Sequence, residues 1–231
     1  MPTEHIEHPE HTEPHPHDIA RDVLRPALDL QLTGPALTWL DAAVTRAAGD
    51  PSSLRADFPA AGRGCGRGPL AGTAWLVEDA ARALLLTALP LSGPALAAEA
   101  AVLYERGDSA ERRAVLHALP LLDAADPGFT GLGLPLVRDA LRSNDTRLIE
   151  AALGPYAARR LPDDEYRQAV LKCVFCEIPL ARVAGLADRA DTELARMLAD
   201  FADERIAAGR EVPDDIGPVV RRFPHVLTGA V

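Results

Sequence analysis

VLKCVFCEIPLARVAGLADRADTELARMLADFADERIAAGR, residues Val170 to Arg210, carries the clearest helical period in the chain. In its second half Leu194, Met197, Leu198 and Phe201 recur at i, i+3, i+4 and i+7, which places them on one face of a helix. Glu193, Arg196, Asp200, Asp203 and Glu204 fall largely on the other face. The spacing predicts a helix over about Ala190–Ala208. Asp188 or Asp191 caps its start, because a short carboxylate accepts the orphan amide protons there. Gly209 ends it where a left-handed residue is wanted. Arg189–Glu193 and Arg196–Asp200 are i,i+4 pairs, each worth about 0.3 kcal/mol when exposed.

The first half predicts a helix from Pro162 or Asp163 to Cys176. Asp163, Asp164 and Glu165 put negative charge at the positive end of the helix dipole. Val170, Leu171, Val174 and Phe175 form its apolar face, with Lys172 and Glu177 off it. Pro179 and Gly185 break the chain beyond it.

Composition points the same way. The chain has 231 residues and is 48% hydrophobic but only 4% aromatic, so its core is built from Leu, Ala and Val. Leu and Ala are strong helix formers, and no segment shows β-branched alternation. The reading is all-α. A formal charge of −10 with no basic run excludes a nucleic-acid module. No stretch approaches the ~20 apolar residues of a membrane span, and the polar N-terminus is not a signal peptide. An odd count of three cysteines argues against a disulfide framework. A cytoplasmic protein is expected.

Residues 1–17, MPTEHIEHPEHTEPHPH, hold five of the seven histidines among Glu and Pro. Such a segment buries too little surface to offset its ordering entropy and is expected to be disordered. Residues 18–231 are expected to form one all-helical domain. Within it, Asp18 to Gly49 reads as one or two helices broken at Pro26 and Gly34-Pro35, with Leu37, Leu40 and Val44 as a stripe. Asp50 to Leu70 (DPSSLRADFPAAGRGCGRGPL) reads as a loop, since Pro and Gly punctuate it. Further helices are predicted over 73–89, 94–106, 108–119, 134–143 and 145–160, with a short one in VPDDIGPVVRRF.

Gly107-Asp108 and Asn144-Asp145 are sharp helix–helix junctions 37 positions apart. Asp108 with Glu111 has the pattern of a capping box. At the same offset Ala114 matches Ala151 and Leu116 matches Leu153. The spacing suits antiparallel helical hairpins stacked in a HEAT-like, α-solenoid-like bundle.

No catalytic motif is present. Cys173-x-x-Cys176 lacks the second ligand pair of a zinc site, and it sits near a helix C-terminus, where no dipole lowers a thiol pKa. Neither a metal nor a cofactor is expected. Polar side chains do gather at apolar helix junctions. Tyr104, Arg112, Arg142, Asn144, Lys172, Glu193, Arg196, Glu204 and Arg210 are the candidate binding residues. Lys172, the lone lysine, with Glu204 and Asp108, are the candidate acid–base groups. Two function classes stay open. One is a binding or scaffold protein whose partner is a small molecule or another protein. The other is a cofactor-free isomerase, cyclase or lyase. A homodimer is left open.

The segments YERGDSAERRAVLHALPLL, VRDALRSN, GPYAARRLPDDEYRQAVLKCVF and GLADRADTELARMLADFADERIAAGR together resemble the EboA-domain family, over roughly residues 104–223. The resemblance implies a largely helical protein of gene clusters that make or move a secondary-metabolite precursor. Those clusters also encode a prenyltransferase-like membrane protein, a TatD-like hydrolase and sugar-phosphate-isomerase-like proteins. The resemblance carries over no established activity for this component. Three positions depart from the family pattern: Gly154 and Asp191, where family members tend to carry Asn, and Ile206, where they carry Trp.

Overall fold

The computed structural model describes residues 21–226. The histidine-rich segment 1–17 lies outside the described residues. Among those described there are thirteen α-helices and no strand. One antiparallel bridge, Pro69 to Leu76, pins the turn before the fourth helix.

The helices are α1 (Arg21–Gln31), α2 (Gly34–Gly49), α3 (Leu54–Gly64), α4 (Val77–Thr87), α5 (Gly93–Arg106), α6 (Ser109–Ala125) and α7 (Leu134–Arg142). They continue with α8 (Thr146–Ala152), α9 (Pro155–Arg160), α10 (Asp163–Phe175), α11 (Leu186–Arg189), α12 (Thr192–Ala207) and α13 (Ile216–Arg221).

Helix α4 is the hub. It packs on α6 most extensively and also on α1, α2 and α3. Every residue from Val77 to Leu86 is buried, including Glu78, Asp79 and Arg82. A helix enclosed on all sides reads as apolar all round, and VEDAARALLLT departs from that only by charges that find partners. The second layer is α8 against α6, with α7 on α8 and α12 between α10 and α13. The buried side chains form one continuous cluster from Leu24 to Val220.

Several expected ends are seen at atomic detail. The capping box forms: Asp108 Oδ1 accepts from the Ala110 and Glu111 amides at 2.9 Å, and Glu111 accepts from the Asp108 amide at 3.3 Å. Asp191, not Asp188, caps α12 by accepting from the Leu194 amide. Gly209 follows that helix with φ of +65°. Leu194, Leu198 and Phe201 are buried and Met197 is half-buried.

Other expectations are corrected. Residues 54–64 form a helix, not a loop, and its Leu54, Phe58 and Ala61 are fully buried. Pro26 lies inside α1 without breaking it, and α6 runs past Leu119 through Pro120 to Ala125. The 145–160 helix is two, because Gly154-Pro155 restarts the chain as α9. Phe175 is not core: it is 62% exposed and meets the Phe201 ring edge-on at 4.7 Å. Arg189 does not pair with Glu193. It donates to Asp163 at 2.6 Å and to the carbonyls of Ala157, Ala158 and Leu161, closing the end of α9.

The second junction carries an acid-sensitive cap. Asp145 accepts from Arg147 Nε and Nη2 and from the Arg147 amide at 3.0–3.1 Å. The Arg147 hydrogen bond, with help from the Ser109 hydroxyl, holds the carboxyl down at about 2 instead of 3.8. A folded value below the unfolded one stabilises above the unfolded value, and the gain is lost as pH falls through the folded value. The contribution is therefore full above about pH 4 and lost toward pH 2, and amounts to about 1–2 kcal/mol after solvent screening. Asp145→Asn keeps a cap but removes the titration. Its stability curve is expected to fall less steeply between pH 4 and 2 than the parent's in urea titrations. Parallel curves would refute the assignment.

Candidate functional site

A cavity of about 200 Å³ lies where the Trp75–Leu76 turn, α4, α6, α8 and the Gly154-Pro155 restart meet. Its floor is ionic. Arg113 Nε and Nη2 donate to the two carboxylate oxygens of Asp79 at 2.7 and 3.1 Å. Glu78 lies 3.7 Å from the same guanidinium, and Arg82 lies 3.8 Å from Asp79 on the other side. The side chains of Asp79 and Arg82 are 1% and 3% exposed. Burial pushes the Asp79 carboxyl up while Arg113 and Arg82 pull it back, and burial pushes Arg82 down. The bidentate geometry is that of an ionised carboxylate held by a planar guanidinium fork.

The local sequence positions these groups. Glu78, Asp79 and Arg82 are successive polar positions on the enclosed α4. Glu78 accepts from the Gly68 amide at 3.1 Å, fixing the glycine-rich turn. Arg82 donates from Nε to the Phe58 carbonyl at 3.0 Å and lies over that ring at 5.6 Å. Arg113 and His117 are i,i+4 on α6 and share a face. The wall is aromatic: Trp75 and His117 stand 5.4 Å apart with their planes tilted by 44°. The mouth is basic. Arg147 and Arg182, 64% and 56% exposed, pair with Asp145 and Glu150 at 3.0 and 3.2 Å.

The residues singled out from sequence fall in three places. Tyr104 is buried and donates to Asp139 at 3.1 Å, under the Arg112 guanidinium at 5.3 Å. Burial first, and then Asp139, pushes its hydroxyl up to about 12. Arg142 donates to the same Asp139 at 3.2 Å. Lys172 donates to the carbonyls of Leu141 and Ser143, so its ammonium caps the end of α7. Arg142 and Lys172 line a groove of about 500 Å³ beside the Arg138–Glu165 pair. Asn144 is exposed next to it. Asp108 and Arg112 serve the first junction; Arg112 donates to the Gly107 and Glu105 carbonyls. Glu193 and Arg196 bind each other and Asp200 on the solvent face of α12. Glu204 and Arg210 are exposed at its end. The Tyr104–Arg112–Arg142–Lys172 run is thus assembled, and the α12 group stands apart from it.

Sequence reasoning passed over Trp75, Asp79, His117, Arg147 and Arg182. The signal was there in one form: Glu78, Asp79 and Arg82 sit inside an apolar run that had to be buried, and buried charges are paired. Among the described residues no group of three or more His, Cys, Asp and Glu is placed to hold a metal ion. Burial pushes the Cys173 thiol up to about 12, away from thiolate chemistry. No helix among the described residues is long and apolar enough to cross a membrane. Of the three departures from the family pattern, Gly154 lines the cavity, Asp191 caps α12 and pairs with Arg167 at 2.6 Å, and Ile206 is 64% exposed.

Comparison with models of known families gives a match. The family model described as "Metabolite traffic protein EboA" covers residues 67–221, a span that contains the whole cavity. No curated protein matches the chain. No solved structure matches it either. With two thirds of its length inside that family model, the chain belongs to the EboA family.

Proposed function

We propose that this chain is a small-molecule-binding protein of metabolite traffic, and that the cavity between α4, α6 and α8 is its ligand site. One observation carries the reading: the cavity is recessed, polar at its floor and mouth, aromatic on its wall, and built wholly from the family-matched segment. Ligand sites combine apolar walls with fixed polar groups, and here Trp75, Leu76, Leu116 and Pro120 stand beside Asp79, Arg113 and His117. The groove beside Lys172 fits a pathway protein better than a small molecule, because it is open and flanked by paired charges. The two junctions capped by Asp108 and Asp145 support stacked HEAT-like hairpins as the scaffold.

A second reading, a cofactor-free isomerase, cyclase or lyase, is favoured by Asp79 alone, whose raised carboxyl shares the cavity with His117. Turnover of a pathway metabolite by the purified protein would separate the two.

Ala151 lines the cavity and is 3% exposed. Ala151→Trp is expected to fill the space and abolish function in cells, measured as failure to restore pathway product to a deletion strain. Overpacking of this kind costs about 1–3 kcal/mol, so the variant should still fold. A folded Ala151→Trp protein that complements fully would remove the cavity from consideration.

A further inference from the structure

We infer that the cavity takes a small organic acid with a single flat ring, entering ring first, with its carboxylate left on Arg147 and Arg182 at the mouth. The inference rests on the proposed ligand site and specifies the ligand's chemistry.

Size sets the first limit. An apolar cavity of about 150 Å³ takes up benzene. A volume of about 200 Å³ therefore has room for one ring and a short acidic arm, and none for a fused polycycle or a nucleotide. The wall sets the second. Trp75 and His117, packed on each other at 5.4 Å and 44°, both line the cavity, and a flat ring packs against such rings at little conformational cost.

Charge sets the orientation. Asp79, 1% exposed, lies at the floor and its two oxygens are already held by Arg113. A carboxylate driven inward would meet that fixed negative charge. The mouth differs in exposure: Arg147 and Arg182 are more than half exposed, and their ion pairs with Asp145 and Glu150 are of the solvent-screened kind that rearranges easily. A guanidinium carries five donors, and Asp145 takes only Nε and Nη2 of Arg147, so Arg147 can hold a second anion beside Arg182. The chain as a whole carries −10, which repels anions at long range, so a local arginine pair is what would capture one.

The test uses the full chain. It has two tryptophans, Trp39 and Trp75, so Trp39→Phe leaves Trp75 as the sole indole reporter. Benzoate is expected to change Trp75 emission saturably, with Kd on the order of 1 mM for so small a probe. Benzyl alcohol, which keeps the ring, and inorganic phosphate, which keeps the charge, should each bind at least about tenfold more weakly. Arg147→Ala and Arg182→Ala should each weaken benzoate by about tenfold; Arg182→Ala should leave the melting temperature unchanged, and Arg147→Ala should lower it only by the few degrees that loss of its bonds to the Asp145 cap implies. Calorimetric titration of the unaltered protein with benzoate repeats the measurement should Trp39→Phe fail to fold. Benzyl alcohol binding as tightly as benzoate, arginine variants without effect, or no saturable response to benzoate would each overturn the inference. If benzoate fails while Ala151→Trp still abolishes function in cells, the ligand class is wrong and the cavity stands. If Ala151→Trp complements, the cavity itself is wrong.

Discussion

Asp79→Ala is expected to destabilise the protein by about 3–5 kcal/mol, the largest effect of any single charge removal among the described residues. The carboxylate is 1% exposed and lies between two guanidinium groups, bidentate to Arg113 and 3.8 Å from Arg82. Removing it takes from Arg82, 3% exposed, its ion pair with Asp79 and leaves it only the more distant charges of Glu111, Asp108 and Glu78, and it leaves Arg113 only Glu78 at 3.7 Å. Arg82 has little reserve, because its Nη1 already lacks a hydrogen-bond partner. The cost is that of an uncompensated buried cation, not of one lost contact. Replacing the whole group separates these terms. Asp79→Leu with Arg82→Met, Arg113→Met and Glu78→Gln should recover most of the loss, since side chains of similar volume then leave no buried charge to desolvate and a glutamine can still accept from the Gly68 amide. Urea unfolding with an unchanged m-value is the measurement. An Asp79→Ala protein within about 1 kcal/mol of the parent would show that the network does not hold α4 in place.

Phe58→Ala is expected to cost about 3–5 kcal/mol, the usual range for deleting a fully buried aromatic ring. Phe58 is 0% exposed in α3 and lies under the Arg82 guanidinium. The Arg82 hydrogen bond goes to the Phe58 backbone carbonyl and survives the substitution. The loss therefore measures ring burial and the cation–π contact alone. The same substitution in a solvated loop would stay within about 0.5 kcal/mol. A small value would return residues 50–70 to the loop that their sequence suggests.

That segment shows where sequence and structure part. Pro59, Gly62 and Gly64 all fall inside α3. By propensity Gly costs about 1 kcal/mol and an interior Pro about 3, so the stretch reads as a loop. Tertiary packing outweighs that. A Cβ on Gly64 would sit 2.2 Å from the Trp39 indole, so glycine is there for the close approach of α2 and α3, not for a turn. Single-sequence reading has no means of telling the two uses of glycine apart. Pro120 inside α6 is a similar case: the helix continues because α4 and α8 pack against it.

What the sequence by itself determined was local. The absence of strands among the described residues accords with a Leu- and Ala-rich composition without β-branched alternation. The Asp108–Glu111 capping box, the Asp191 cap and the left-handed Gly209 were legible because each depends on residues within a few positions of itself. The family was legible for the same reason, as continuous strings of residues. Only the tertiary structure decided the rest. It made α4 the hub, because enclosure depends on what surrounds a helix. It turned Arg189 to the end of α9, 26 positions from Asp163 in sequence, instead of to Glu193 beside it. It assembled the cavity from Trp75, Asp79, Arg113, Arg147 and Arg182, which span more than a hundred residues of chain. Caps and helix faces are set by short-range sterics and hydrogen bonds. Burial, charge pairing and cavities are set by which surfaces meet, and that information is not local.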